Sequence, residues 1–184
     1  GQFARICVGE WEWRDYSIAA VDGLDVTFLI SNRTGGHGSD FVNAVRPGEH
    51  TKMELPLGGY ALAKTPHRKV FIATGTGLAP FLPMFRQLKR DGASETAELY
   101  FGCRTRAEDI TANFEDCLPR TTSCISREEP GTNGFKGRVT DVVAQLAFDP
   151  GTTDFYLCGS AAMVADCRTI LERGGAVNLH VEAY

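Results

Sequence analysis

Residues 69–80, KVFIATGTGLAP, join an apolar run to a glycine-rich turn. The run Lys69–Thr74 is typical of a strand that is covered on both faces in a parallel sheet. Gly75 and Gly77 permit a tight turn, and Pro80 suits the first turn of a following helix. Phosphate groups bind at such turns because free N–H groups at a helix N-terminus face the ligand. A tight turn without a ligand is the competing interpretation, since Pro80 replaces the third glycine of the common dinucleotide motif.

Strands and helices alternate from this turn to the end of the chain. Further strands are predicted at 99–102, 122–125, 155–158 and 179–181. Helices are predicted from the turn to residue 92 and over 107–117, 139–146 and 161–173. Alternating elements predict a doubly wound parallel sheet, here of five strands, in a Rossmann-like α/β domain over residues 69–184.

The first 64 residues follow a different pattern. Short β-rich stretches at 3–8, 16–21, 25–30 and 50–55 are separated by glycines, and one short helix is predicted at 39–45. This pattern predicts a small antiparallel β module over residues 1–64, joined to the α/β domain by the linker 63–68. About sixty residues are too few to close a full barrel easily, so we expect a truncated one.

Composition describes a globular chain whose charge favours no polyanionic partner. The 184 residues are 43% hydrophobic and 23% charged, with a net charge of −4, so no nucleic-acid partner is expected. No apolar stretch has the length of a membrane span. The six cysteines and four histidines lack the spacing of a metal site. We therefore expect no bound metal, histidines that are mostly ordinary surface or linker residues, and reduced thiols in a cytoplasmic protein.

The motif RDYS places Arg14, Tyr16 and Ser17 at the start of a predicted strand. Alternate residues of a strand share a face, so Arg14 and Tyr16 would point to one side and Ser17 to the other. A cation, a flat ring and a hydroxyl suit a ligand that has both a phosphate and an aromatic ring. A solvated strand end is the competing interpretation.

In GGHGSDF, residues 35–41, Gly36 and Gly38 precede Ser39, which we expect to cap the short helix. Free N–H groups at this helix start could hold a pyrophosphate. A capped surface helix without a ligand fits the motif equally well.

Two further motifs follow predicted strands of the parallel sheet. Ser126 and Arg127 follow one strand, and Cys158 and Gly159 end another. Ligands of such sheets bind outside the carboxyl ends of the strands, and an arginine suits a phosphate monoester. Taken alone, a solvated arginine and a small buried thiol are the ordinary interpretations.

The order of the motifs resembles that of the ferredoxin–NADP(H) reductase superfamily. The motifs are RDYS (14–17), GHGS (36–39), GTGLAP (75–80), SRE (126–128), CGSAAM (158–163) and EAY (182–184). Flanking stretches at 1–6 (GQFARI), 101–110 (FGCRTRAEDI) and 134–141 (GFKGRVTD) are also similar. The resemblance covers nearly the whole chain.

The resemblance implies an FAD site in the β module. Arg14 would bind the pyrophosphate, Tyr16 would stack on the flavin ring, and Ser17 would hydrogen-bond near the ring atom N5. Glu182 would join the hydrogen-bond network beside N5, and Tyr184 would cover the other face of the ring. The residues expected at the pyrophosphate are Gly36, Gly38 and Ser39.

The resemblance also implies a nicotinamide-cofactor site. Residues 75–80 would hold its phosphates, and Cys158 and Gly159 would line the approach of the nicotinamide ring. Ser126 and Arg127 match reductases that bind the 2′-phosphate, so NADPH is expected, with NADH possible. The remaining cofactor-binding residues of this set are Thr74, Gly75, Thr76, Gly77, Pro80, Arg104 and Met163.

The implied reaction is hydride transfer from nicotinamide to FAD, followed by release of single electrons to a ferredoxin, a flavodoxin or an oxygenase component. The expected catalytic set is Ser17, Cys158, Glu182 and Tyr184. Members of the superfamily usually have several more strands before the position of Gly1. The chain is therefore expected to be a fragment, a unit completed by a partner, or a natural minimal form. The alternative function is a reductase-like nucleotide-binding module without catalysis of its own.

Overall fold

The computed structural model describes residues 1–32, 35–132 and 134–183, except for the side chain of Ala183. The first part of the chain forms a four-stranded antiparallel sheet with the strand order β3-β2-β1-β4. Its elements are β1 (Phe3–Cys7), β2 (Trp13–Asp22), β3 (Asp25–Phe28), helix α1 (His37–Ala44) and β4 (Met53–Leu57). Strands β3 and β4 lie at the two edges, so this sheet is open.

The second part forms a six-stranded sheet with the order β10-β9-β5-β6-β7-β8, in which all neighbouring strands are parallel. Its strands are β5 (Arg68–Thr74), β6 (Ala97–Cys103), β7 (Arg120–Ile125), β8 (Phe135–Lys136), β9 (Thr153–Gly159) and β10 (Asn178–Ala183). Its helices are α2 (Phe81–Arg90), α3 (Val139–Val143) and α4 (Ala161–Arg173). The strand order reverses between β5 and β9, and ligands of open α/β sheets bind at such a point.

The predicted fold class, an antiparallel β module followed by a doubly wound parallel sheet, is confirmed. The sheet has one strand more than the five predicted, the two-residue edge strand β8. The division of the chain into domains at residues 1–64 and 69–184 stays a prediction.

Two predicted helices differ in the structure. Residues 107–117 form no α-helix, and two short 3₁₀ turns at Arg106–Glu108 and Thr111–Phe114 replace it. The carboxylate of Asp109 accepts hydrogen bonds from the backbone N–H (3.0 Å) and the hydroxyl (2.7 Å) of Thr111, and such local bonds compete with a helix. Helix α3 ends at Val143 instead of residue 146 because the next backbone bonds, from Gln145 and Leu146, reach back only three residues.

Two clusters of buried residues cover the two faces of the parallel sheet. The cluster under α2 contains Phe71, Phe81 and Tyr156, and the opposite cluster under α3 and α4 contains Ile72 and Leu157. The first cluster extends to Ala19 of β2, so the two sheets share a core.

A hydrogen bond also joins the two parts of the chain. The guanidinium of Arg86 in α2 donates to the backbone carbonyl of Ala19 at 2.8 Å. Strand β2 is therefore held against α2, directly after the glycine turn that precedes that helix. In the described part of the chain, no helix combines the length and the apolar character that crossing a membrane requires.

Candidate functional site

A cavity of about 390 Å³ lies where the two parts of the chain meet. Strand β2 lines it through Arg14, Tyr16 and Ser17, and the loop before α1 lines it from residue 35 to residue 39. Thr76, in the turn after β5, lines it from the other sheet. Residues from three separate motifs of the sequence therefore face one space.

The strand β2 is placed by its pairing with β1. Tyr16 lies opposite Ala4 and packs against the small apolar cluster of Ala4, Ile6 and Val8. Burial raises the pKa of Tyr16, against the opposing effect of the Arg14 charge, so the phenol is neutral at physiological pH. Ser17 is buried on the other face of the strand, as the alternation predicts.

The glycines before α1 allow the helix start to approach β2 closely. A Cβ atom on Gly38 would lie 2.7 Å from the hydroxyl oxygen of Tyr16. Gly36 has a φ of 89°, and a Cβ atom there would meet open space. The first turn of α1 therefore presents backbone next to the Arg14 and Tyr16 side chains, with space for a ligand outside it.

The prediction that Ser39 caps α1 is wrong. The helix begins at His37, and Gly36 is its N-cap residue without a side-chain cap. Ser39 is buried inside the first turn, where its hydroxyl donates to the carbonyl of Gly35 at 3.4 Å. The first turn of α1 consequently starts directly after Gly36, whose carbonyl accepts the first helical hydrogen bond, from the backbone N–H of Asp40 at 2.9 Å.

The second glycine turn lies at the point where the strand order reverses. A Cβ atom on Gly77 would lie 2.2 Å from the carbonyl oxygen of Cys158, so the turn after β5 packs directly on the end of β9. The hydroxyl of Thr74 accepts a hydrogen bond from the backbone N–H of Ser160 at 3.3 Å. Gly159 has a φ of 147°, and a Cβ atom there would collide with the Thr74 hydroxyl. The structure thus brings together Thr74, Gly77, Cys158 and Gly159.

Around this turn, Gly75 has open space on the side where a Cβ atom would stand. Pro80 is the N-cap residue of α2. Met163 is buried in α4, and its backbone N–H donates to the hydroxyl of Ser160, the N-cap of that helix, at 3.4 Å.

Glu182 of β10 lies in register with Cys158 of β9. Its Oε2 atom is buried and has no hydrogen-bond partner among the described residues. Burial raises the pKa of Glu182. An orphaned buried oxygen beside the end of β9 fits a bound group that supplies a hydrogen-bond partner. Tyr184, the last member of the predicted catalytic set, lies outside the described residues.

The third predicted region lies at the end of β7, outside the cavity lining. The backbone N–H of Arg127 bonds the carbonyl of Arg104 at 2.9 Å, and the Ser126 hydroxyl donates to the carbonyl of Cys103 at 3.4 Å. The guanidinium of Arg104, which the resemblance places among the cofactor-binding residues, pairs with Glu108 at 2.6 Å. Arg127 is exposed.

Part of the cavity lining was not among the site residues predicted from the sequence. Most histidines were expected to be ordinary surface or linker residues; His37 is exposed, and it also lines the cavity at the start of α1. Its place between the two glycines of the first loop was a signal that could have identified it. Leu29, Ile30 and Ser31 also line the cavity, and no residue pattern marks them. Among the described residues, no group of three or more potential metal ligands is present.

The glycine turns, the cation beside the first turn and the orphaned carboxylate suit a flavin and a dinucleotide. The space outside Gly36 and Gly75, where a Cβ atom would meet nothing within 4 Å, leaves room for phosphate groups. The half-buried Tyr16 ring provides a flat surface at the cavity. The residues present therefore fit both cofactors.

Comparisons with known proteins agree with this geometry. The model of the oxidoreductase NAD-binding domain family matches residues 71–169, more than half of the chain. A reductase component of the naphthalene 1,2-dioxygenase system from Pseudomonas putida is 30% identical over 192 residues, which cover 100% of this chain and 58% of that protein. Ferredoxin–NADP reductase B from Sorangium cellulosum is 31% identical over 190 residues, covering 93% of this chain and 78% of that protein.

A solved structure shows the same fold. The flavohem-like FAD/NAD-binding domain of nitric oxide dioxygenase from Vibrio cholerae superposes with a TM-score of 0.85 at 20% identity, covering 100% of this chain and 84% of that one. The chain spans little more than half the length of the dioxygenase reductase component. With the family model and the Sorangium relative in agreement, the chain belongs to the oxidoreductase NAD-binding domain family and to the ferredoxin–NADP(H) reductase superfamily.

Proposed function

We propose that the chain is an FAD-dependent NAD(P)H reductase. One observation carries this proposal: a single cavity is lined by the Arg14–Ser17 strand, by the glycine-flanked start of α1 and by Thr76 of the second glycine turn. A flavin held by the first two elements would therefore lie next to a dinucleotide held by the third. The match to a family of oxidoreductase NAD-binding domains supports the same function.

In the proposed FAD site, Arg14 and the N–H groups after Gly36 bind the pyrophosphate, as a cation and a helix N-terminus do. Tyr16 stacks on the flavin ring, and Ser17 hydrogen-bonds near its reactive edge. Gly38 and Ser39 complete the first turn of α1. Bound FAD would supply the chemistry, accepting a hydride and releasing electrons one at a time.

In the proposed nicotinamide site, Gly75 and Thr76 bind phosphate groups, while Gly77 lets the turn approach β9. Cys158 and Gly159 orient the nicotinamide ring and exclude water. Glu182 holds a proton or a hydrogen bond at the orphaned Oε2 atom, and its raised pKa makes protonation easier than for an exposed carboxylate. Tyr184 covers the flavin ring.

We infer that NADPH is the preferred reductant, with NADH as a weaker one, because Ser126 and Arg127 follow β7 and Arg127 is exposed to bind a phosphate. Arg127→Ala should weaken NADPH binding strongly and NADH binding little, measured as KM for each. Lys136→Ala is the matched control, because Lys136 is a nearby cation that is paired with Glu129 at 2.9 Å. Equal effects of Arg127→Ala on both cofactors would contradict this role of Arg127.

The proposed acceptor is a ferredoxin, a flavodoxin or an oxygenase component. The dioxygenase reductase component among the relatives supports this class of partner. We propose the cytoplasm as the location, because all six cysteines are free thiols and a reducing compartment keeps them so.

A second candidate function is a nucleotide-binding module completed by further strands from a partner. The open edge of the first sheet favours it: Met53, Glu54 and Leu55 of β4 are all exposed, and unpaired edges are ready to receive another strand. This module would bind NADPH without passing electrons to a flavin.

FAD titration followed by NADPH addition without oxygen tests the function. We expect the chain to quench FAD fluorescence on binding and NADPH to bleach the flavin absorbance. Arg14→Ala should weaken FAD binding about tenfold or more, the value of a lost charge-assisted hydrogen bond. Arg5→Ala is the control, because Arg5 lies on the same sheet but pairs with Asp15 at 2.9 Å. A purified chain that binds no FAD would contradict the proposal, and NADPH binding without bleaching would favour the second candidate.

A further inference from the structure

The segment 60–67, which joins the two sheets, is attached at several points to β9 and β10. The hydroxyl of Tyr60 lies 3.1 Å from the carbonyl oxygen of His180 and 3.3 Å from that of Leu157, and it donates to them. The backbone N–H of Ala63 donates to the Tyr156 hydroxyl at 2.9 Å. These bonds hold the first half of the segment along the parallel sheet.

A buried ion pair holds the second half of the segment. Asp154 is 1% exposed and Lys69 is 3% exposed, and their charged atoms are 3.5 Å apart. The Asp154 carboxylate is also bonded by the Thr65 hydroxyl and by Nδ1 of His67 at 3.0 Å. The Lys69 ammonium donates to the carbonyls of Thr65 (3.0 Å) and His67 (3.1 Å). Both charges therefore bind the same two residues of the segment.

A buried ion pair of this kind adds little to the free energy of unfolding. Desolvation of two buried charges offsets much of their attraction, and apolar residues of similar size often stabilise a fold as well or better. What the pair adds is a defined geometry, because both charged groups are satisfied only when Thr65 and His67 lie in one place. A role in fixing the position of the segment explains the pair better than a role in stability.

The strand that carries these attachments also carries a residue of the proposed site. Asp154, Tyr156 and Cys158 alternate along β9, so their side chains share one face. Asp154 and Tyr156 hold the segment through their side chains, and the backbone carbonyl of Cys158 packs against the second glycine turn. The segment thereby positions the first sheet relative to β9, the strand that would also orient the nicotinamide ring.

We propose that Asp154 and Lys69 are positioning residues, which clamp the segment 60–67 to β9 so that the flavin and nicotinamide sites stay in register for hydride transfer. This proposal rests on the proposed reductase function. Small displacements of reacting groups lower rates steeply while leaving the affinity for each cofactor nearly unchanged. We call the contacts of Asp154 and Lys69 with Thr65 and His67 the clamp. Release of the clamp is therefore expected to slow hydride transfer without weakening NADPH binding.

The test uses two ways of releasing the clamp and one matched control. Asp154→Asn removes the charge from the strand side, and Thr65→Val removes the hydroxyl from the segment side without leaving a buried lysine unpaired. Glu98→Gln is the control: Glu98 is also a buried carboxylate, on the adjacent β6, but its partners are Arg68 and the Tyr100 hydroxyl (2.7 Å). Equilibrium unfolding first establishes that each variant is folded.

Two readouts are then compared for each folded variant. Hydrogen–deuterium exchange of the amides in 60–67 reports the clamp itself, and single-turnover bleaching of bound FAD by NADPH reports alignment. For Thr65→Val and Asp154→Asn we expect exchange in this segment to become about tenfold faster. We expect bleaching to become about tenfold slower with NADPH affinity changed less than about twofold, and the control to change neither.

The outcomes separate the two proposals. Unchanged exchange in the segment, or unchanged bleaching despite faster exchange, would overturn the positioning role while the reductase function stands. Slower bleaching that follows from weaker NADPH binding would also overturn it. A wild-type chain that binds FAD and NADPH without bleaching would overturn the reductase function, and the positioning role with it.

Discussion

The two sheets of this protein bury their strands in different ways. Strand β5 of the parallel sheet is almost entirely buried, with Phe71 and Ile72 at 0% exposure, because helices cover both of its faces. Strand β4 of the antiparallel sheet lies at an edge, and Met53 is 40% exposed. The parallel sheet therefore forms the stable part of the fold, and the antiparallel sheet is held to it at a few points. The proposed site uses both sheets, with the nicotinamide cofactor on the parallel sheet and the flavin on the antiparallel sheet.

The largest expected effect contrasts the core of the parallel sheet with the exposed edge of the antiparallel sheet. Phe71→Ala should lower the free energy of unfolding by about 3–5 kcal/mol, because it removes a fully buried ring and leaves a cavity. Met53→Ala, the matched change at the exposed edge, should cost less than about 1.5 kcal/mol. Equilibrium unfolding in urea measures both. Similar losses in both variants would show that the two positions contribute equally to the free energy of unfolding, which would contradict this difference between the sheets.

The next effect contrasts the two glycine turns. Gly77→Ala should destabilise the fold by about 1–3 kcal/mol, because the new Cβ atom would overlap the backbone of Cys158. Gly36→Ala should cost about 1–3 kcal/mol from backbone strain alone, because at φ 89° and ψ 175° only glycine is readily accommodated while its Cβ atom would meet open space. A solved structure of each variant distinguishes the causes: a shift of β9 is expected only for Gly77→Ala. An unmoved β9 in that variant would contradict the close packing.

A smaller effect contrasts the starts of two helices. The Ser160 hydroxyl accepts from the backbone N–H of Met163 and caps α4, whereas α1 has no side-chain cap. Ser160→Ala should therefore lower the free energy of unfolding by about 1 kcal/mol. Ser39→Ala, in α1, is the comparison and should not show a capping loss. A free energy of unfolding that Ser160→Ala leaves unchanged would contradict the capping role of Ser160.

The smallest effect depends on pH and concerns the clamp. Burial alone would raise the pKa of Asp154, but hydrogen bonds from Thr65 and His67 and the charge of Lys69 lower it by more, so the net result is a lowered pKa. The stabilisation from this group is therefore complete above the ordinary pKa of an aspartate and is lost as pH falls through the lowered value. We expect a difference between wild type and Asp154→Asn that is constant at neutral pH and shrinks below about pH 4. Unfolding free energies measured across this range check it, and a difference that shrinks only towards higher pH would contradict it.

The difference between the sheets also explains how much the sequence could predict. The run 69–74 is apolar because both faces of β5 are covered, so the strand, the turn after it and the doubly wound sheet were predictable. Strand β8 was missed because two residues carry no pattern. The helix expected over 107–117 was wrong because Asp109 bonds Thr111 locally, a competition that apolar spacing does not reveal. The β module was recognised through its motifs more than through its periodicity.

The proposed site was predictable in part, because several of its residues lie in recognisable sequence motifs. Sequence motifs contain Arg14, Gly38 and Gly77. In the structure, Arg14 and Gly38 line the cavity, and Gly77 packs against the end of β9. The clamp was not predictable, since Lys69 and Asp154 are 85 positions apart and lie in separate apolar strands. Long-range pairing of buried charges leaves no local pattern in a single sequence.

The most direct test of the account is the rate at which NADPH bleaches FAD bound to this chain, without oxygen, using NADPH that carries hydrogen or deuterium at the transferred position. We expect the flavin absorbance to be lost in a single turnover and deuterium to slow this loss, because the two proposed sites meet at one cavity. An FAD-loaded chain that binds NADPH and keeps its flavin absorbance would contradict it.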